Sequence, residues 1–111
     1  MSRHVSITEI SVADLVALGP RIRIIDVRED DEWADGHVPY AEHVALGTVP
    51  DNVDKFDGAP TYVICRSGSR SMQACEFVAA QGKQAVNVIG GMVAWEAARL
   101  QISTGPGSGG G

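Results

Sequence analysis

Residues 61–82, TYVICRSGSRSMQACEFVAAQG, contain the pattern that decides the fold of this chain. The segment begins with the β-branched and apolar residues 61–65, which predict a buried central strand. A polar loop follows at residues 66–69. Apolar side chains then recur at helical spacing from about residue 70 to residue 81, and Gly82 ends this predicted helix. A strand, a short loop and a helix in this order are typical of an α/β protein.

Strand-like and helix-like segments alternate on both sides of this unit. Strands are predicted at residues 5–10, 22–27, 43–46 and 85–89, and helices at residues 11–18, 29–35, 49–56 and 92–100. This alternation predicts one α/β domain, in which a five-stranded, mostly parallel sheet is flanked by helices on both faces. The domain is expected to occupy residues 1–103. The Gly-rich residues 104–111 are expected to form a flexible tail, a linker or a cloning remnant.

The composition of the chain excludes several classes of protein. With 111 residues, a 44% hydrophobic content and a net charge of -5, the chain predicts one ordered domain, and it lacks the basic surplus typical of nucleic-acid binding. No apolar run approaches the roughly 18 residues of a membrane span, and the N-terminus has no apolar secretion signal. Two cysteines do not make a disulfide framework. We therefore expect a cytoplasmic protein with reduced thiols.

Cys65 lies where the predicted central strand ends and the polar loop begins. The loop residues are Arg66, Ser67, Gly68 and Ser69. Small residues before a helix can aim successive backbone N–H groups at one point, which creates an anion-binding nest. The helix dipole, together with Arg66 and Arg70, would lower the pKa of a thiol placed there, and such a nucleophile needs no histidine base. A plain turn beside a small buried cysteine is the alternative, and the loop alone leaves both interpretations open.

Three motifs occur in order along the chain. They are IDVRE at residues 25–29 followed by EW at 32–33 and GHVP at 36–39, CRSGSR at 65–70, and GGM at 90–92 followed by Trp95. Together they resemble the upstream motif, the active-site loop and the closing turn and helix of single-domain rhodaneses, a family of sulfurtransferases. The resemblance covers roughly residues 5–100. It implies an α/β domain around a five-stranded parallel sheet, which agrees with the pattern of strands and helices.

The resemblance also implies a mechanism. The thiolate of Cys65 would attack the outer sulfur of a donor such as thiosulfate, release sulfite and hold a persulfide, which then passes to a thiophilic acceptor. The acceptor would be a cellular thiol, a partner protein or, in an assay, cyanide. Substrate-binding roles are implied for Arg66, Ser67, Gly68, Ser69, Arg70 and Arg28. Neither a cofactor nor a metal is implied.

Other residues are expected to support the site instead of reacting. Asp26 is expected in an ion pair or a capping role, His37 is expected to organise a loop through a hydrogen bond, and Gly90 and Gly91 turn the chain. Arg28 has a second interpretation, as the ion-pair partner of Asp26.

Several conspicuous side chains are expected to be structural. Cys75 lies on the apolar stripe of the helix after the loop, roughly 15 Å of helix rise from Cys65, which is too far for a disulfide. Trp33 and Trp95 are expected in the core, and Trp95 could border the site. The acidic side chains between residues 26 and 35 are expected to form a solvated helix face. His4 and His43 lack the spacing of metal ligands.

Other functions are weaker candidates. Cysteine phosphatases and arsenate reductases of related folds place five residues between cysteine and arginine, whereas four separate Cys65 from Arg70, so Ser71 stands where that arginine would be. A second alternative is a persulfide carrier or interaction module that a partner protein loads. Oxidation sensing through an exposed, low-pKa Cys65 is a third.

Overall fold

In the computed structural model, which describes residues 6–106, five strands form one sheet. The strands are β1 (Thr8–Ile10), β2 (Arg23–Asp26), β3 (Ala41–His43), β4 (Thr61–Ile64) and β5 (Ala85–Val88). Their order across the sheet is β1-β5-β4-β2-β3, and every neighbouring pair is parallel. The predicted five-stranded sheet is therefore confirmed. Residue 5, where the first strand was predicted to begin, and residues 107–111 of the predicted tail lie outside the described residues.

Helices cover both faces of this sheet, also as predicted. They are α1 (Val12–Ala17), α2 (Asp30–Asp35), α3 (Ser69–Ala80) and α4 (Gly91–Ala97), together with a 3₁₀ segment at Leu46–Lys55. Side chains alternate across a strand, so Ile24 of β2 packs with α1, α2 and α4, whereas Ile25 packs with α3 and the 3₁₀ segment. Each face therefore has its own apolar core. Trp33 and Trp95 are buried on the first face and Cys75 on the second, which agrees with the sequence analysis.

The strand predicted at residues 43–46 is wrong in its position. The observed β3 ends at His43, opposite Asp26, because β2 itself ends there and β3 has no other neighbour. The chain then stays beside β2 through bonds from the N–H of Val44 to the Asp26 carbonyl and from the N–H of Leu46 to the Val27 carbonyl, both 2.9 Å. At Leu46 it enters the 3₁₀ segment, which begins before the predicted residue 49.

Helix α4 ends at Ala97, before the predicted residue 100. Arg99 adopts a positive φ of 58°, and the N–H groups of Arg99 and Leu100 turn back onto the carbonyls of Glu96 and Trp95. This is a Schellman closure, in which glycine usually holds the position that Arg99 occupies. Arginine does not mark the end of a helix in a sequence, so the pattern predicted a helix that extends beyond the observed end at Ala97.

The segment after α4 returns to the domain. Ser103 and His37 exchange two backbone hydrogen bonds of 2.9 Å, and the N–H of Gly105 donates to the Ala34 carbonyl at 2.8 Å. The chain is thus attached beyond residue 103, where the domain was expected to end. Between residues 6 and 106, no helix has the length and apolar character that a membrane crossing requires.

Candidate active site

Cys65 follows the last residue of the central strand β4, at the edge of the sheet where parallel strands present their carboxyl ends. The side chain is only 1% exposed and lies under the loop that leads to α3. Gly68 is the N-cap of α3 and has φ 117°, a backbone conformation that favours glycine. From this position its N–H donates to the Cys65 Sγ at 3.1 Å. The predicted amide contact to the sulfur is present.

The surroundings of Cys65 favour its thiolate. Burial by itself raises the pKa of the thiol, but hydrogen bonds from the Ser71 hydroxyl and from the N–H groups of Ser71, Gly68 and Ser67 outweigh it, so the pKa of Cys65 lies below its ordinary value. Cys75 behaves in the opposite way. Burial raises its pKa to about 12, so this second thiol stays protonated near neutral pH. Only one of the two cysteines is therefore prepared as a nucleophile.

The loop is held from the side by α4. The N–H of Met92 donates to the Cys65 carbonyl at 2.8 Å, and the N–H of Val93 donates to the Arg66 carbonyl at 3.0 Å. Gly91, with φ 50°, makes this approach possible, because a Cβ there would collide with the Cys65 carbonyl oxygen and lie 2.7 Å from that of Arg66. The first N–H groups of a helix have no partner within it, and here the loop carbonyls supply one. Gly91 of the predicted Gly90–Gly91 turn therefore admits the loop backbone.

Two residues that the sequence analysis did not assign complete the site. The Ser71 Oγ lies 3.2 Å from the Cys65 Sγ and 2.5 Å from the Asn87 Oδ1, and both residues are buried. The Asn87 Nδ2 donates to the Gly68 carbonyl at 3.2 Å and to the Glu9 Oε2 at 2.9 Å. One signal could have revealed Asn87: it is the only polar residue in the apolar run of β5, AVNV.

The two loop arginines lie in different environments. Arg70 forms a two-pronged ion pair with Glu32 of α2, with N–O distances of 2.6 and 2.9 Å. The hydrogen bonds from Arg70, with smaller contributions from the Glu29 N–H and the charges of Arg70 and Arg28, outweigh burial and lower the pKa of Glu32 to about 2. Arg66 is exposed, and no carboxylate within residues 6–106 pairs with it. Arg66 is thus free to meet an anion, whereas Arg70 already holds one.

Arg28 lies in a buried ion pair with Asp26, the second interpretation given for it, and its substrate-binding role stays a prediction. Its side chain is 5% exposed. Its Nε donates to both carboxylate oxygens of Asp26 at 3.0 and 3.1 Å, and one terminal nitrogen donates to Asp26 and to the Gly36 carbonyl. The Nε and this terminal nitrogen of Arg28 are therefore engaged inside the protein. The expected solvated acidic face is confirmed for the exposed Glu29, Asp30, Asp31 and Asp35. It is wrong for Asp26, which is buried, and for Glu32, which is paired with Arg70.

His37 lies beneath α2. Its ring stacks on Trp33 at a centroid distance of 3.5 Å, and its Nδ1 lies 2.7 Å from the Trp33 carbonyl. Together with its backbone bonds to Ser103, these contacts connect the end of α2 with the segment after α4. In the described part of the chain, no three His, Cys, Asp or Glu side chains are arranged to hold a metal ion.

Comparisons with known proteins give matches over most of the chain. The family model described as Rhodanese-like domain matches residues 11–98. The chain is 46% identical over 94 residues to "Putative sulfurtransferase YtwF" of Bacillus subtilis, which covers 81% of this chain and 91% of that protein. It is 34% identical over 76 residues to "Thiosulfate sulfurtransferase GlpE" of Pseudomonas putida, with coverages of 67% and 69%. A solved rhodanese-like domain protein from Staphylococcus aureus superposes with a TM-score of 0.76 at 36% identity, over 80% of this chain and 91% of that one.

Proposed function

Because the chain belongs to the rhodanese-like family, we propose that it is a sulfurtransferase that takes a sulfane sulfur from thiosulfate and carries it as a persulfide on Cys65. One observation carries this proposal. The Cys65 sulfur accepts a hydrogen bond from the Gly68 N–H and has a lowered pKa, whereas the other thiol, Cys75, is kept protonated. Such a thiolate can attack sulfur without a general base.

The chemistry proceeds in two displacements. In the first, a bond forms between the Cys65 Sγ and the outer sulfur of thiosulfate, and the sulfur–sulfur bond of the donor breaks. Sulfite leaves with the electron pair. In the second, a thiolate or cyanide attacks the outer persulfide sulfur and Cys65 leaves as a thiolate. Neither step needs an external oxidant or reductant. In our proposal, the negative outer sulfur rests against the N–H groups of the loop.

The exposed Arg66 is the proposed first contact of the donor, because it is a cation at the mouth of the loop with no carboxylate partner among residues 6–106. Arg70 contributes through a charge that Glu32 partly neutralises. Ser67, Gly68 and Ser69 contribute backbone N–H groups. Both cysteines are free, and a persulfide forms on a reduced thiol, so we propose a reducing, cytoplasmic location.

A phosphatase role is less consistent with this geometry. Ser71 occupies the position where cysteine phosphatases have arginine, and it is buried and bonded to Asn87. No cation is therefore placed there to hold a tetrahedral phosphate.

Intact-protein mass spectrometry before and after thiosulfate treatment tests the proposal. We expect a gain of one sulfur mass, reversed by cyanide with release of thiocyanate. Cys65→Ser should gain nothing, and Cys75→Ser should gain as the native chain does. If the folded protein with a free Cys65 thiol gains no sulfur, thiosulfate is not the donor. Loading by a protein persulfide under those conditions would indicate a relay in its place.

A further inference from the structure

Polar side chains connect Cys65 through Ser71 and Asn87 to Glu9 on the edge strand β1. The donors and acceptors in this chain determine where its protons lie. The Asn87 Nδ2 faces a carboxylate oxygen of Glu9 and the Gly68 carbonyl, which are both acceptors. The amide cannot be reversed, because its oxygen would then face two acceptors. The Asn87 Oδ1 therefore points at Ser71 and can only accept.

The orientation of Asn87 determines what Ser71 can offer to the sulfur. A serine hydroxyl has one proton. The Ser71 Oγ lies 2.5 Å from the Asn87 Oδ1 and 3.2 Å from the Cys65 Sγ, so two acceptors compete for that proton when the sulfur is charged. When the sulfur is a neutral thiol, its S–H donates to the Ser71 Oγ and the hydroxyl donates to Asn87. When the sulfur is a thiolate, the hydroxyl must turn towards it and leave Asn87.

We propose that Ser71 is a positioning residue for sulfur transfer, whose single proton alternates between Asn87 and the Cys65 sulfur as that sulfur loses and regains its charge. The inference rests on the proposed persulfide cycle. In that cycle the Sγ is charged in the free thiolate and neutral in the persulfide, where the charge lies on the outer sulfur. Loading therefore returns the hydroxyl to Asn87, and discharge of the persulfide draws it back to the leaving thiolate. No proton leaves the protein, and only the Ser71 Cβ–Oγ bond rotates.

This arrangement makes Asn87 a competitor of the thiolate. Each ionisation of Cys65 leaves a buried amide oxygen without its donor, and a buried polar group without a partner is unfavourable. The pKa of Cys65 is thus held above the value that an uncontested hydroxyl would produce. The higher pKa preserves the nucleophilicity of the thiolate during loading, and the return of the Ser71 proton to the leaving thiolate assists discharge.

Other titratable and charged groups also face Cys65 or the network. Arg70 and Cys75 of α3 both interact with the charge of Cys65. Glu32 of α2 holds Arg70. Glu9 of β1 contacts the network only through Asn87 among the bonds described.

The test is the pKa of Cys65, measured from the pH dependence of its alkylation by iodoacetamide. Ser71→Ala should raise this pKa by about one unit, roughly a tenfold loss of thiolate at a given pH, because the gain from a bond to the thiolate is partly offset by the bond lost at Asn87. Asn87→Leu, of similar volume, should lower the pKa, because it removes the competitor. The double variant should match Ser71→Ala. Gln73→Ala, an exposed change on the same helix, should leave the pKa unchanged.

The opposite signs separate this proposal from a purely structural role, because general loosening of the loop would raise the pKa in both variants. An unchanged pKa in Ser71→Ala, or a raised pKa in a folded Asn87→Leu, would overturn the proposal. If a urea titration shows that Ser71→Ala is not folded, the direction of the shift in the Cys65 pKa of Asn87→Leu decides between the two roles. Alkylation requires no sulfur donor, so a protein that fails to accept sulfur from thiosulfate still yields a result.

Discussion

Replacing Glu32 by glutamine should improve the use of thiosulfate. Glu32 holds both terminal nitrogens of Arg70, at 2.6 and 2.9 Å. In the proposed function, an anionic donor shares that arginine with Glu32. Glutamine keeps the shape of the side chain and an oxygen for the N–H of Glu29, which Glu32 caps at 3.1 Å. The substitution therefore removes the charge and preserves the start of α2.

The magnitude follows from the ion pair. The pKa of Glu32 falls from 4.5 to about 2, mainly through Arg70, which corresponds to at most about 3.5 kcal/mol at about 1.4 kcal/mol per pKa unit. Both side chains are more than a quarter exposed, so solvent reduces the pair to about 1 kcal/mol. If a donor gains that amount when Glu32 is neutralised, the KM for thiosulfate falls about fivefold. The free energy of unfolding should fall by a similar amount.

Steady-state kinetics with cyanide as acceptor measure the effect. Asp31→Asn is the matched control, because this substitution removes the same charge from the residue next to Glu32. Asp31 is exposed and does not contact Arg70 in the bonds described. We expect its KM to change little. A KM that is unchanged or raised in Glu32→Gln would refute the reasoning, and so would an equal fall in Asp31→Asn, since that would indicate a general charge effect.

Three further predictions concern the backbone and pH. Gly91→Ala should destabilise the protein by at least about 2 kcal/mol in urea titrations and suppress persulfide formation, because the new Cβ collides with the loop carbonyls. Gly47→Ala is the control and should do neither, because its Cβ has no atom within 4 Å. Arg99→Gly should raise the free energy of unfolding by about 0.5–1 kcal/mol, measured by thermal unfolding, because glycine adopts a φ of 58° without strain; equal stability would show that arginine is not strained there. Glu32 has a depressed pKa in the folded state, so its contribution to stability should be present above about pH 4.5 and be lost as the pH falls towards 2. In Glu32→Gln this part of the pH dependence of stability should be missing. If it persists, other carboxyl groups cause the loss of stability at low pH.

Local patterns predicted the parts of the molecule that depend on neighbouring residues. The start of α3 after the loop and the place of Cys65 at the end of β4 follow from apolar spacing and small residues within residues 61–82. The five-stranded parallel sheet follows from alternation of strands and helices, and the family resemblance implied it independently.

Contacts between distant residues could not be predicted in this way. Ser71 meets Asn87 across 16 residues, and Arg70 meets Glu32 across 38. These pairs depend on the sheet order and on which carboxylate a helix brings near the loop. Arg28 was ambiguous for the same reason, because the sequence does not show that Asp26 is buried and that Arg28 pairs with it inside the protein.

The hydrogen bonds between α4 and the loop affect how this site can change over evolution. The carbonyls of Cys65 and Arg66 are fixed by N–H groups of Met92 and Val93, so the curvature of the loop is set by a turn that comes more than twenty residues later in the chain. The side chains of Arg66, Ser67 and Ser69 point into solvent and are not needed for that curvature. Under the proposed function, selectivity for donors can therefore be altered at these positions while the loop backbone keeps its shape. Under the proposed function, the side chains that can tune selectivity lie in the loop, whereas the shape of the loop backbone is held by a separate segment, the start of α4.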